Sequence, residues 1–537
     1  MKLALVAIHL EPSPRSLPLG PAMLASALRA GLGGVVQPQL VDAFVGEPPE
    51  TCADRILALD PALVGFSMYV WNRGQALATA AVLKARKPGL VVFAGGAEAT
   101  ADRTGVEADP CIDFVLPGEG EDLLVETCRR LLEGATPEAI AAWAAPSPVA
   151  DLATLPSPYL DGTLRPEAYG GALWELSRGC PFACDFCFES RGTAGVRRIP
   201  MERAAAELDL FVARGIREVF VLDPTFNYHK VQAKAVLRLI ASRTTDIQFF
   251  FEVRSEFLDR EMADLFAAFP CTLQIGLQSA HDAVLRNIGR SFSPQDFEAK
   301  LLLLHQAGVP YGLDLIYGLP GDTLEGFRES VDFAMSLVPN HLDLFRLSVL
   351  PGTRLGETAT GLGLDYELHH PYRVLAAPGF GPEDLTRAER IARGCDALYN
   401  HGKAVPWFGL LQEHLGVRPS NLFAAFAAWV EAHGADDLIA AQQAFFLSQF
   451  QGRGEGALGR AAADVIACFG HAACLLDGEA AQTGPIAFQR NPAALMEALE
   501  AGLMDLEALV HEVPEAPCMV AFRLEEGVLV MEPVPAS

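Results

Sequence analysis

Three cysteines stand at C-x3-C-x2-C spacing in the string Cys180-Pro-Phe-Ala-Cys184-Asp-Phe-Cys187. They follow a strand-like run, Ala172-Leu-Trp-Glu-Leu-Ser177. A loop of this length can wrap three thiolates around one face of a [4Fe–4S] cube, a cluster that ordinarily takes four cysteine ligands. No fourth cysteine stands nearby. The next, Cys271, lies in an apolar run and reads as a buried small hydrophobe. One iron is then left open to an outside ligand, which implies chemistry at the cluster rather than electron storage. A structural zinc site would want a fourth Cys or His close by.

Composition narrows the setting. With 537 residues the chain is long enough for two to four domains and a large core. Hydrophobic residues make up 50% and charged residues 20%, a globular balance. The opening Met1-Lys-Leu-Ala-Leu-Val-Ala-Ile-His-Leu10 lacks a cleavage site and runs into Glu11-Pro-Ser-Pro, so it reads as a buried first strand rather than a secretory signal. No apolar run reaches the roughly 18 residues of a membrane span, so no membrane association is expected. Eleven cysteines without a secretory signal point to a reducing, cytoplasmic setting without disulfides. Nucleic-acid binding rests largely on Lys and Arg neutralising phosphates, and a net charge of −26 argues against it. The expected substrate is a small molecule or a peptide.

The chain is expected to be α/β with four segments. Through 1–135, continuous apolar runs at 2–8, 62–70 and 90–96 and the string Asp113-Phe-Val-Leu-Pro-Gly-Glu-Gly-Glu121 alternate with helical stretches. That pattern predicts a doubly wound, Rossmann-like parallel sheet. Ligands bind such sheets beyond the strands' carboxyl ends, where Gly95, Gly96, Gly118 and Gly120 stand. Prolines break up a linker over 136–171, which includes Leu155-Pro-Ser-Pro-Tyr-Leu160. Over 172–375, six candidate strands (172–177, 218–222, 248–253, 272–276, 311–317 and 342–349) fit a partial (β/α)6 barrel. Polar residues fall at their carboxyl ends, where barrels place working groups: Asp223, Glu252, Arg254, Gln278, Ser279 and Arg346. The last segment, 376–537, is mainly helical, with helices expected over 421–435 and 440–450 and a terminal hairpin turning at Glu-Gly. It is expected to cap the barrel and shape a substrate pocket. Trp407, Phe408, His369, His370 and Tyr372 are pocket candidates there, although core or surface packing is the more ordinary fate of such residues.

The cysteine motif, with Phe186 directly before the last cysteine, resembles the radical S-adenosylmethionine (SAM) superfamily. So do Ile275-Gly-Leu-Gln-Ser279, Asp314-Leu-Ile-Tyr-Gly-Leu-Pro-Gly321 and Leu350-Pro-Gly-Thr353. The resemblance implies that Cys180, Cys184 and Cys187 hold the cluster. It also implies that Phe186, Asp223, Glu252, Arg254 and Gln278 contact SAM. Gly65-Phe-Ser67, Ala94-Gly-Gly-Ala-Glu98 and Pro117-Gly-Glu-Gly-Glu121 resemble the cobalamin-binding domain that precedes many radical SAM domains. By that resemblance Ser67, Tyr69, Trp71, Gly95, Gly96, Glu98, Gly118 and Glu119 meet cobalamin, with the 69–73 segment under the corrin's lower face. The D-x-H-x-x-G signature, whose histidine ligates cobalt in other B12 proteins, is absent.

These resemblances imply a cobalamin-dependent radical SAM methyltransferase acting on an unactivated carbon through a 5′-deoxyadenosyl radical and methylcobalamin. An electron donor such as flavodoxin or ferredoxin would serve it, and the two strand-end crevices should open towards each other. The alternative keeps the cluster but ends in another SAM-derived transfer, a cyclisation or a rearrangement. Transfer RNA methylthiolation would need a second three-cysteine cluster, for which Cys52, Cys111 and Cys128 are not spaced. A redox carrier would have little use for polar groups at six strand ends.

Overall fold

The computed structural model describes the chain apart from residues 147, 150, 190–194, 481, 504, 526 and 535–537. It divides into two compact units. One comprises Met1–Ile275, Leu285–Pro310 and Leu347–Ala377; the other comprises Gly276–Val284, Tyr311–Arg346 and Pro378–Ser537.

The first unit opens with a five-stranded sheet: β1 (Lys2–His9), β2 (Gln37–Phe44), β3 (Leu63–Ser67), β4 (Val91–Gly95) and β5 (Phe114–Leu116). The order is β2-β1-β3-β4-β5, and every pairing is parallel. Both faces are covered, which is why β1 is apolar at six successive positions. Ala4, Val6 and Ile8 pack into one core and Leu3 and Leu5 into another. The direction in which strands are added reverses beside β1, so the crevice past the ends of β1 and β3 is the expected binding edge. Sequence alone missed β2. It carries Pro38 and alternates polar with apolar residues, both tolerated because it lies at the sheet's edge.

A second parallel sheet follows, with β6 (Gly171–Trp174), β7 (Glu218–Val221), β8 (Gln248–Val253), β9 (Cys271–Gln278), β10 (Tyr311–Tyr317) and β11 (His341–Arg346). β6 to β9 pair side by side in chain order, and β10 pairs in parallel with β11 within the second unit. The first three pairings have Leu173 beside Phe220, Phe220 beside Phe250, and Phe250 beside Thr272. The expected strands all form, with shifted ends. The first stops at Trp174 because the N–H groups of Leu176 and Ser177 turn away to Asp223. The proline-rich connector docks rather than merely crossing over. Ser157 donates to Glu207, and the Tyr159 hydroxyl donates to the Leu173 carbonyl at 2.6 Å.

The remainder of the second unit is mainly helical. Helices Pro382–Cys395, Pro419–His433, Leu438–Gln451 and Gly456–Leu476 precede an antiparallel sheet of β12 (Ile486–Phe488), β13 (Cys518–Glu525) and β14 (Val528–Val534). Glu525 pairs with Val528 at the expected hairpin; residue 526 of its turn lies outside the described residues. Helix Gly456–Leu476 has the length and hydropathy to cross a membrane, contrary to the expectation from apolar runs. Its most apolar window is 61% buried inside the protein, which suits a core helix. Trp407 and Phe408 are core residues, whereas His369 and His370 are exposed.

Tyr372 is also buried, in the first unit, at a φ of +60° that a non-glycine residue adopts only under constraint. Its hydroxyl donates to Glu98 and accepts from Arg73 at 2.9 Å. Arg73 in turn pairs with Glu98 at 2.8 Å and Asp102 at 2.7 Å. Replacing Tyr372 by Phe leaves a buried carboxylate short of one donor. The expected loss in urea-unfolding free energy is about 1–3 kcal/mol; an unchanged midpoint and slope would show the knot to be incidental.

Candidate functional site

The cysteine loop is built against fixed neighbours. The Asp185 N–H donates to the Ile288 carbonyl at 3.0 Å, and the Asp185 carbonyl accepts from Leu355 N–H at 2.8 Å. Cys187 N–H closes a turn on the Cys184 carbonyl. Phe182 packs edge-on to Tyr228, and the Arg254 guanidinium lies 3.9 Å from the Phe182 ring centroid. All three cysteines and Phe186 are half-buried. Burial raises the Cys180 thiol above its ordinary pKa, opposed by a Phe182 backbone hydrogen bond, by Thr225 and by the Arg254 charge. Among the described residues, no three His, Cys, Asp or Glu side chains converge on one point as a single metal ion requires. A four-iron cube spreads its ligands over separate irons and does not need that convergence.

Just upstream, the stem of this loop is held by buried charge. Asp223 Oδ1 accepts from the N–H groups of Leu176 and Ser177 at 2.9 and 2.8 Å, and Oδ2 accepts from Ser177 Oγ at 2.6 Å. The structure thus places Asp223, expected at SAM, under the stem with both oxygens engaged. Arg178 pairs with Glu121 and Glu175 and reaches Glu119 at 3.5 Å. Burial alone would raise Glu119. The Arg197 guanidinium, which bonds both its oxygens, together with the Val149 N–H and Arg178, brings it below the usual carboxylate range. Sequence reading overlooked Arg178, Glu121 and Glu175. Their signal was a charged pair, Glu175 and Arg178, immediately ahead of the cysteines.

A cavity of about 720 Å³ begins at this network. Ser67, Gly95, Gly96, Gly118 and Glu119 bring the carboxyl ends of the first sheet to its wall, and Leu173, Glu175 and Leu222 bring those of β6 and β7. The two strand-end crevices therefore share one space within the first unit, as expected. Tyr69 and Trp71 also line it, their rings stacked 4.5 Å apart and 3° from parallel. An apolar arm reaches inward past Leu5, Leu24, Phe93 and Leu124. Glycine is required at two places on the wall. At Gly65 a β-carbon would stand 2.2 Å from the Phe93 ring. At Gly96, where φ is +98°, it would stand 2.8 Å from the Met68 carbonyl oxygen. A large, mostly apolar cofactor with a polar rim fits these walls. Glu98 is the exception among the residues expected at cobalamin. It does not line the cavity, because its carboxylate is spent on Arg73 and Tyr372.

The remaining SAM candidates lie at strand ends. Glu252 is exposed on β8, and its backbone carbonyl accepts from Phe226 N–H. Arg254 pairs with Glu256 at 2.6 Å, and Asn227 bonds both its N–H and its carbonyl. Gln278 closes β9 at φ +63°, with Oε1 buried and without a hydrogen-bond partner among the described residues. A strained backbone position whose side chain carries an unsatisfied polar atom is a frequent mark of a ligand position.

Burial pushes the Asp223 carboxyl up to about 6. The unfolded chain releases that proton near the ordinary 3.8, so the folded state holds an extra proton between those values. This group's contribution to stability therefore falls as pH rises from about 4 to 6. Denaturant unfolding of the parent and Asp223→Asn across that range should show the parent's advantage shrinking by about 3 kcal/mol; parallel curves would contradict it.

Comparison with known proteins agrees with this geometry. The radical SAM superfamily model matches residues 174–334 and the B12-binding domain model residues 10–127. The chain is 29% identical over 347 residues to the cobalamin-dependent radical SAM methyltransferase TokK of Streptomyces tokunonensis, over 58% of this chain and 50% of TokK. It thus spans about half the length of that relative. Among solved structures, TsrM of Kitasatospora setae, a radical S-adenosylmethionine methyltransferase bound to tryptophan substrate and a SAM analogue, superposes with a TM-score of 0.57 at 20% identity, covering 72% of this chain and 82% of TsrM. The cobalamin-dependent S-adenosylmethionine radical enzyme OxsB, with aqua-cobalamin and S-adenosylmethionine bound, gives 0.58 at 15% identity, covering 83% of this chain and 73% of OxsB. At such identities these two establish the fold. The chain thus carries a B12-binding domain followed by a radical SAM domain, which together imply a [4Fe–4S] cluster, SAM and cobalamin.

Proposed function

We propose that this protein is a methyltransferase that places a methyl group on an unactivated carbon of a small molecule or peptide. One observation carries the reading: a single cavity is walled by the strand ends of both sheets and begins beside the root of the cysteine loop. When bound, the cofactors supply a 5′-deoxyadenosyl radical for hydrogen abstraction and a cobalt-borne methyl group for delivery.

The chain's own residues position and shield. Cys180, Cys184 and Cys187 would hold three irons, and the clamp at Ile288 and Leu355 holds their loop still. Phe186 would lie against adenine, and Gln278 is suited to donate to or accept from a ribose hydroxyl. Arg254, braced by Glu256 and Phe182, offers a fixed cation near Cys180. Ser67 and the glycines at 95, 96 and 118 let cobalamin approach the backbone closely, and the Tyr69–Trp71 stack offers an apolar floor without a nitrogen ligand. Asp223 is a positioning residue for the loop's stem. An external one-electron donor of the flavodoxin or ferredoxin kind would reduce the cluster in a cytoplasmic setting.

Anaerobic reconstitution with iron, sulfide, SAM and hydroxocobalamin tests the reading. The parent should retain corrinoid through gel filtration and release 5′-deoxyadenosine on reduction. Cys184→Ala should retain corrinoid but lose SAM cleavage by more than a hundredfold, a loss of about 3 kcal/mol or more in transition-state stabilisation. SAM cleavage by parent protein that never retains corrinoid would favour a non-methyl outcome.

A further inference from the structure

Among the described residues, one basic side chain lining the cavity has no anionic partner. Of the cavity's basic lining residues, His9 bonds Asp42 at 2.8 Å and Arg178 is committed to Glu119, Glu121 and Glu175. Arg15 is different. It is exposed, lines the cavity, and has no carboxylate within ion-pair distance among the described residues. The loop that carries it follows β1 and is pressed against β6: a β-carbon at Gly171 would lie 2.5 Å from the Pro14 carbonyl oxygen. From there the guanidinium extends over the rings of Phe220 and Phe250, 4.3 and 5.3 Å from their centroids. These two rings are themselves stacked, 4.4 Å apart and 7° from parallel.

That posture matters chemically. Stacking on an aromatic ring uses the face of a guanidinium and leaves its in-plane N–H donors at the edge. Such an edge is matched to two oxygens of one carboxylate. The rings also hold the planar group in place, so little side-chain freedom remains to be lost on binding. In a chain of net charge −26 the surrounding field repels anions, so an anionic ligand entering this cavity needs a local cation.

We infer that Arg15 is a specificity-determining residue that receives a carboxylate of the substrate in the cavity shared by the two sheets. The inference rests on the methyltransferase reading for the word substrate, but the charge it assigns can be measured without turnover. Cobalamin carries a phosphodiester and SAM a carboxylate, so the test must separate these anions from the substrate's.

The probes are indole-3-acetate and indole-3-acetamide, an aromatic acid and its neutral isostere, titrated by equilibrium dialysis into reconstituted holoprotein. The parent should bind the acid roughly tenfold or more tightly than the amide. Arg15→Gln should bind both alike, and Arg15→Lys should keep part of the preference. In parallel, hydroxocobalamin, cobinamide (which lacks the phosphodiester and base) and SAM are titrated into parent and Arg15→Gln. All three should bind both proteins equally. Equal acid and amide affinity in the parent, no acid binding at all, or a preference that survives in Arg15→Gln would overturn the assignment. Weaker cobalamin with unchanged cobinamide in Arg15→Gln would reassign Arg15 to the cofactor's phosphate, and weaker SAM would reassign it to the SAM carboxylate. Release of 5′-deoxyadenosine by the parent, measured without substrate, keeps this result separate from the test of the radical chemistry.

Discussion

The chain leaves β6 at Trp174, six positions before Cys180, and Asp223 governs that exit. A strand that continued in register would carry its amides past β7 and leave no loop. By taking the N–H groups of Leu176 and Ser177 and the Ser177 hydroxyl, one buried carboxylate ends the ladder and supplies the partners those groups would otherwise lack. Arg178, next in line, is then delivered to three glutamates that border the shared cavity. The cysteine loop and the cavity are thus set by the same few hydrogen bonds. Breaking a buried network of this kind is costly because each member abandons the others in a low-dielectric setting.

Much of the fold was legible because its signals are local. Continuous apolar runs between helices gave both parallel sheets, since strands covered on two faces have no polar alternation to hide them. β2 escaped because an edge strand needs neither an apolar second face nor an amide at Pro38. Helix Gly456–Leu476 fell in a segment read as mainly helical but was not itself singled out, nor was it read as apolar enough to pass for a membrane span; only its burial identifies its role.

The site was legible to the extent that glycine and cysteine announce backbone geometry. Gly65 and Gly96 stand where a side chain would strike Phe93 or Met68, and a short motif records such a constraint faithfully. Charged residues are harder, because their partners are distant in sequence. Glu98 sits in a motif with the glycines yet turns to Arg73 and Tyr372, the latter 274 positions away. Arg178, Arg197 and Arg15 belong to no recognisable string, and only the folded chain brings their partners together.

The contact between Gly171 and Pro14 has a consequence for how such proteins diverge. With a carbonyl oxygen 2.5 Å from where any side chain would begin, the edge strand and the loop beside it form a hinge pin with no clearance. A substitution at position 171 cannot be absorbed locally and would lever the whole 11–16 segment outward, withdrawing its arginine from the Phe220 ring. Drift in ligand preference is therefore open to the loop's own side chains but closed to the strand it leans on: the residue that can never reach the ligand is the one least free to change.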